Sequence, residues 1–172
     1  MSEQDLKRIT GLIEILDQSI KENTQTIEPC SDIIRTYYDD LIAVSKEVQK
    51  RLETEPEAYN VYQTHYGYKK VLIHRTTEYE IYIIIWDPNS KTPVHDHSTN
   101  GCLMMCLNNS LKQTIFTNGN TRNQIKTDII NAGDISYIDN KMGLHMITNH
   151  NLVQTESVHI YSPPSYKANI YN

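Results

Sequence analysis

Residues 80–97 read EIYIIIWDPNSKTPVHDH, and the fold turns on this stretch. Ile81 to Trp86 is an unbroken apolar run of β-branched and aromatic side chains. A run that short, ending in a polar turn, suits a strand buried on both faces, since a helix needs about ten residues or more. Asp87-Pro88-Asn89-Ser90 supplies turn chemistry. A second strand is predicted over Pro93–His97. In it His95 and His97 share a face and Asp96 points the other way, because successive strand residues alternate sides.

Outward from this stretch the same texture continues. Val71–Arg75, Cys102–Leu107, Leu111–Phe116, Gln124–Ile130, Ile135–Ile138, Leu144–Thr148 and Val153–Tyr161 read as strands separated by turn residues. Asn118-Gly119 predicts a type I′ hairpin, and Asn108-Asn109 a further turn. Many short strands at regular spacing predict a sandwich or small barrel. Before residue 60 the period becomes helical. Leu6, Ile9, Ile13, Leu16 and Ile20 form one apolar stripe. A second helix starts around Glu28–Ser31, with Ser31 as its candidate cap, and runs through Ile33, Ile34 and Tyr37. A third carries Leu41, Ile42, Val48 and Leu52 and ends before Pro56. The expected architecture is mainly β: one domain over 1–172, with a small jelly-roll-like barrel at 65–172 and the helices of 1–60 packed outside it.

Composition removes several classes of function. With 172 residues, 21 acidic against 16 basic side chains, a net charge of −5 and no basic run, neither nucleic acid nor an anionic membrane is an expected partner. No apolar run is long enough to span a bilayer, and MSEQDLKRIT lacks the shape of a signal peptide. Cys30, Cys102 and Cys106 form no CxxC, which points to a reducing, cytoplasmic setting. A monomer is expected.

Two imidazoles about 6–7 Å apart on one strand can grip one metal ion. A third histidine, His145, lies on another predicted strand, after Gly133-Asp134 and Gly143 and four residues before Asn149. An HxH followed at a distance by GxH-xxx-N resembles the two-part pattern of cupins. Cupins usually place a glutamate ligand shortly after HxH; here the residues are Ser98, Thr99, Asn100, Gly101 and Cys102. The ligands are then three neutral imidazoles. A divalent ion held by them keeps its full charge and favours an anionic bidentate substrate, such as a thiolate with an adjacent amine. Zinc suits three imidazoles as well, and the ligand set does not choose. Further on, Ser157, His159 and Tyr161 alternate with Val158 and Ile160. If the aliphatic row meets outer packing elements, the polar row lines the interior beside the metal; otherwise it faces solvent.

From about Tyr68 to Pro164 the chain resembles the cysteine dioxygenase family. The resemblance rests on Trp86, His95-Asp96-His97, Cys102, Leu111-Lys112-Gln113-Thr114, Tyr137-Ile138-Asp139, Gly143-Leu144-His145, Asn149 and Ser157-x-His159-x-Tyr161-Ser162-Pro163-Pro164. It implies a cupin barrel whose His95, His97 and His145 hold Fe(II). It also implies Tyr161 as the active-site tyrosine, Cys102 as the cysteine that can form a thioether with it, and Ser157 and His159 as a relay orienting its hydroxyl. The Ser162–Pro163 bond is expected to be cis. The family's tyrosine-x-arginine pair, which binds the substrate carboxylate, matches Tyr68-Lys69-Lys70, so Lys70 stands where the family has arginine. Lys69 and Arg75 are the other basic candidates. The implied reaction converts L-cysteine and O2 to cysteine sulfinic acid. Lys70 keeps another small thiol, 3-mercaptopropionate or cysteamine, open as substrate. A non-catalytic, metal-binding sensor is the alternative from another class.

Overall fold

The structure is a computed structural model that describes residues 3–23, 25–119 and 121–171, with side chains from Lys7 onward. Leu6 of the predicted stripe thus has its side chain outside the described residues.

Eleven strands are described: β1 (Asn60–Gln63), β2 (Tyr68–Arg75), β3 (Glu80–Trp86), β4 (Val94–His95), β5 (Cys102–Cys106), β6 (Ser110–Phe116), β7 (Gln124–Asn131), β8 (Ile135–Ile138), β9 (Leu144–Thr148), β10 (Thr155–Tyr161) and β11 (Ile170–Tyr171). They form two antiparallel sheets, one ordered β1-β2-β3-β10-β5-β8 and the other β11-β4-β9-β6-β7. Three α-helices precede them: α1 (Glu3–Glu22), α2 (Ser31–Thr36) and α3 (Tyr38–Thr54). No described helix is long and apolar enough to cross a membrane.

The strand read as central is buried along its whole length. Its two faces belong to different cores. Ile81, Ile83 and Ile85 pack with Val158 and Ile160 of β10 against Ile9, Leu12 and Leu16 of α1 and Leu41, Val44 and Val48 of α3. Ile84 and Trp86 face the second sheet, meeting Leu111 and Ile147. Each such side chain contributes roughly 1.5–3 kcal/mol on leaving water. The helices therefore cover the outer face of the six-stranded sheet, and the inner faces of both sheets enclose the second core.

Several local expectations are corrected. β4 ends at His95 rather than His97. Proline at 93 brings no N–H to a ladder, and the backbone of Asp96 and His97 bonds to Asn169 and Asn140 instead. Ser31 does not cap a helix; its hydroxyl donates back to the Glu28 carbonyl at 2.7 Å, and Cys30 holds the cap position. Asn118-Gly119 is not a type I′ turn: Gly119 has a positive φ but Asn118 does not. The hairpin closes later, with Thr117 N–H donating to the Asn123 carbonyl. Asn109 takes a φ of 53°, as its turn requires. Strands β1 and β11 escaped the reading, the first because all four residues are exposed and carry no alternation, the second because two residues hold no pattern.

Candidate metal centre

β4 and β9 are neighbours with His95 directly opposite His145. Gly143 admits β9 to this place. Its φ is 128°, and a Cβ there would collide with the Phe116 carbonyl oxygen of the adjoining strand. His97 lies two residues beyond His95, and one nitrogen from each of the three histidines falls within 4.8 Å of the others. Among the described residues this cluster contains no carboxylate. The Asp96 carboxylate is engaged elsewhere, accepting from Asn169 N–H and Nδ2–H, both at 2.7 Å, and from the Tyr171 hydroxyl at 3.3 Å. Burial opposes its charge, but these donors and Tyr166 outweigh burial and hold its carboxyl below the ordinary range.

The tautomers follow from the outer partners. His95 Nδ1 lies 2.9 Å from the Pro93 carbonyl and His145 Nδ1 lies 3.1 Å from Gln113 Oε1, so in both rings Nδ1 carries the hydrogen and donates it. Both Nε2 atoms then present lone pairs to one another at 3.1 Å. His97 is buried with no partner on either nitrogen. Three lone pairs converging without a proton between them are satisfied by a cation, and the donor set suits a divalent transition metal. Outer partners on Nδ1 are the usual means of orienting such ligands.

Burial, then the neighbouring imidazoles, lowers the pKa of His145 and His97, that of His97 to about 3; burial also lowers His95. The consequence for the metal-free protein has a definite sign. An unfolded-chain histidine titrates near ~6.5. Below that pH the unfolded chain binds protons that folded His97 refuses. Stability is therefore complete above about pH 6.5 and declines as pH falls toward 3. Carboxylates such as Asp96 contribute their own loss only below about pH 4. The apo melting temperature is expected to fall between about pH 7 and pH 5, and His97→Gln should flatten that decline in a thermal scan.

Beside the histidines lies the inner face of β10, with Ser157, His159 and Tyr161 in a row. Trp86 Nε1–H donates to Ser157 Oγ at 2.9 Å, and Ser157 Oγ lies 2.9 Å from His159 Nε2. Tryptophan only donates, so the arrangement without a stranded buried donor sends the Ser157 proton to Nε2. His159 Nδ1–H then points to the Tyr161 oxygen at 3.2 Å, so the phenol hydrogen is not spent on His159. Burial keeps His159 neutral and the Tyr161 phenol protonated. Cys102 is paired directly with Tyr161 across β5 and β10, and the two side chains pack together. Burial pushes its thiol up to about 12.

The facing wall comes from β2. Tyr68 and Lys70 both line the cavity with the three histidines, His159 and Tyr161. The Lys70 ammonium sits 4.3 Å from the Tyr82 ring centre and 4.5 Å from that of Tyr161. The other basic candidates are elsewhere: Arg75 is paired to Glu80 at 2.8 Å, and Lys69 lies on the outer side with Gln49 and Glu53 of α3. Sequence reading missed Tyr66, Tyr166, Ala168 and Ile170, which also line the cavity. The last three come from the C-terminal segment, which β11 fastens to β4; nothing in their order signals it. The Ser162–Pro163 bond is cis.

The fold and this cluster define a class. An RmlC-like cupin from Shewanella frigidimarina superposes with a TM-score of 0.51 at 14% identity, covering 63% of this chain and 87% of that one. An oxalate oxidase superposes at 0.52 and 15% identity, covering 63% and 57%. At that identity the likeness establishes the architecture, which is that of a cupin. Within the cupins, the family model for cysteine dioxygenase type I matches residues 14–172, and the chain belongs to that family. Cysteine dioxygenase type 1 from Bos taurus is 27% identical over 161 residues, covering 83% of this chain and 80% of the relative. The Rattus norvegicus protein is 28% identical over 162 residues, with the same coverage.

Proposed function

We propose that this protein is a thiol dioxygenase that converts L-cysteine and O2 to cysteine sulfinic acid, with Fe(II) held by His95, His97 and His145. The observation that carries the reading is one cavity lined by three converging neutral imidazoles, an ammonium and a protonated phenol. The chain is read as one unit over 1–172, since the helices and the six-stranded sheet share an apolar core. Bound Fe(II) supplies a Lewis-acidic, redox-active centre at which a thiol and O2 can meet. Both oxygen atoms end on sulfur, so the reaction needs no external reductant.

The protein's own groups do the rest. Lys70 pairs with the substrate carboxylate and Tyr68 walls that end of the cavity. Tyr161 offers its hydroxyl hydrogen to the oxygens arriving at sulfur, and His159 and Ser157 hold that hydroxyl in place. A binding-only sensor has no use for an oriented phenol. Lysine in place of arginine is the observation that favours a second reading, dioxygenation of another small thiol. The test is oxygen uptake by Fe(II)-loaded protein with cysteine, 3-mercaptopropionate and cysteamine, with the sulfinate identified by mass. Consumption of no thiol by fully loaded protein would overturn the enzymatic reading.

Cys102 belongs to the same reading. A thioether between its sulfur and the Tyr161 ring removes two hydrogens, with O2 as the acceptor. Cys102→Ala is expected to lower turnover several-fold without abolishing it, because the hydrogen bond to His159 still orients the phenol. Intact mass and steady-state oxygen uptake check this; complete inactivity would mean that the thiol itself takes part.

A further inference from the structure

His97 differs from its two companions. The rings of His95 and His145 are each oriented by a hydrogen bond on Nδ1, whereas His97 has none. Its main chain has also left the β4 ladder. A buried peptide group outside a sheet needs partners for its N–H and C=O. Both come from a single side chain: His97 N–H donates to Asn140 Oδ1 at 2.8 Å, and Asn140 Nδ2–H donates to the His97 carbonyl at 2.9 Å.

Asn140 is itself fixed. It lies in the turn between β8 and β9, where Asp139 Oδ1 accepts from Lys141 N–H and Met142 N–H at 2.9 and 3.0 Å. Its carbonyl accepts from Asn118 Nδ2–H at 2.6 Å, which is the use the structure makes of that hairpin asparagine. Five residues later comes His145. The amide therefore ties the His95/His97 segment to the chain entering β9.

We infer that Asn140 is a positioning residue for the metal centre: its carboxamide acts as a surrogate strand neighbour that places His97 against the His95–His145 pair. A carboxamide donates through its nitrogen and accepts through its oxygen, so one side chain serves both groups of the same peptide residue. Aspartate would accept from the His97 N–H but set an anion against its carbonyl. This inference rests on the three histidines holding a metal.

The experiment measures Fe(II) affinity anaerobically, by chelator competition, together with the melting temperature of the apo protein. Asn140→Ala and the near-isosteric Asn140→Asp are each expected to weaken Fe(II) binding by about 10–100-fold, the usual effect of losing an outer-shell partner. In a His97→Ala background, Asn140→Ala should cost nothing further, since there is no ligand left to place. Affinity within two-fold of the parent in Asn140→Asp would overturn the proposal. So would a fall in apo melting temperature with unchanged affinity, since the amide would then only fasten the loop. His95→Ala keeps the two readings apart. If it too leaves affinity unchanged, the metal assignment fails; if it abolishes binding while Asn140→Asp does not, only the clamp fails.

Discussion

His95→Ala is expected to leave the protein folded, nearly free of metal and without oxygen uptake on any thiol. His95 Nε2 faces His145 Nε2 at 3.1 Å, each with its hydrogen on the far nitrogen. Removing one ring leaves two imidazoles and no carboxylate able to take the third place, because Asp96 is committed to Asn169 and Tyr171. Losing an outer-shell partner alone costs about 10–100-fold in metal affinity, so losing a ligand should cost at least the upper end of that range. The fold should survive, since His95 contributes to neither of the two main apolar clusters. Metal content after purification and oxygen uptake with added Fe(II) are the measurements. Full iron loading with normal turnover would remove His95 from the ligand set.

Lys70→Ala should weaken the enzyme toward cysteine while sparing cysteamine. Lys70 makes no ion pair with the described residues; its ammonium rests between the Tyr82 and Tyr161 rings and faces the cavity. Burial lowers its pKa, and an incoming carboxylate would restore preference for the charged form. A hydrogen bond to a charged group contributes about 1.5–3 kcal/mol. At about 1.4 kcal/mol per decade, its loss should raise the Michaelis constant for cysteine by roughly ten-fold or more. Cysteamine has no carboxylate, so its turnover should change little. Lys70→Arg should move cysteine the other way, because a guanidinium adds a second parallel bond and stacks on the same tyrosines. If Lys70→Ala handles cysteine as well as the parent, the carboxylate is held by another group and the assignment of Tyr68-Lys69-Lys70 is wrong.

Much of this protein is legible in its amino-acid sequence, and for a local reason. Strand residues alternate faces, so Ser157, His159 and Tyr161 had to share one side of β10 and Val158 and Ile160 the other, and the helices did prove to cover the aliphatic side. The Ile81–Trp86 run announced a strand with a core on each face. The His95 and His97 spacing, with Gly143 and His145 downstream, announced a shared site. Glycine at 143 is needed where one strand's backbone passes against another's. These are properties of a residue and its near neighbours in the chain.

What only the tertiary structure decided depends on partners far apart in sequence. Register across β2 and β3 placed Lys70 opposite Ile84 and into the cavity, while Arg75 reached Glu80 instead; a count along the chain does not settle this, because a bulge shifts the pairing between Leu72 and His74. Residues 166–171, Tyr-Lys-Ala-Asn-Ile-Tyr, show neither a helical nor a strand period, yet they wall the site because Asp96, more than seventy positions earlier, holds Asn169 by both its backbone and side-chain N–H groups. Asn118 carried the local signal of a tight turn, and a carbonyl on Asn140 claimed its side chain instead. Alternation and turn propensity are written residue by residue, whereas a buried peptide group takes whichever donor or acceptor the packed chain brings within reach.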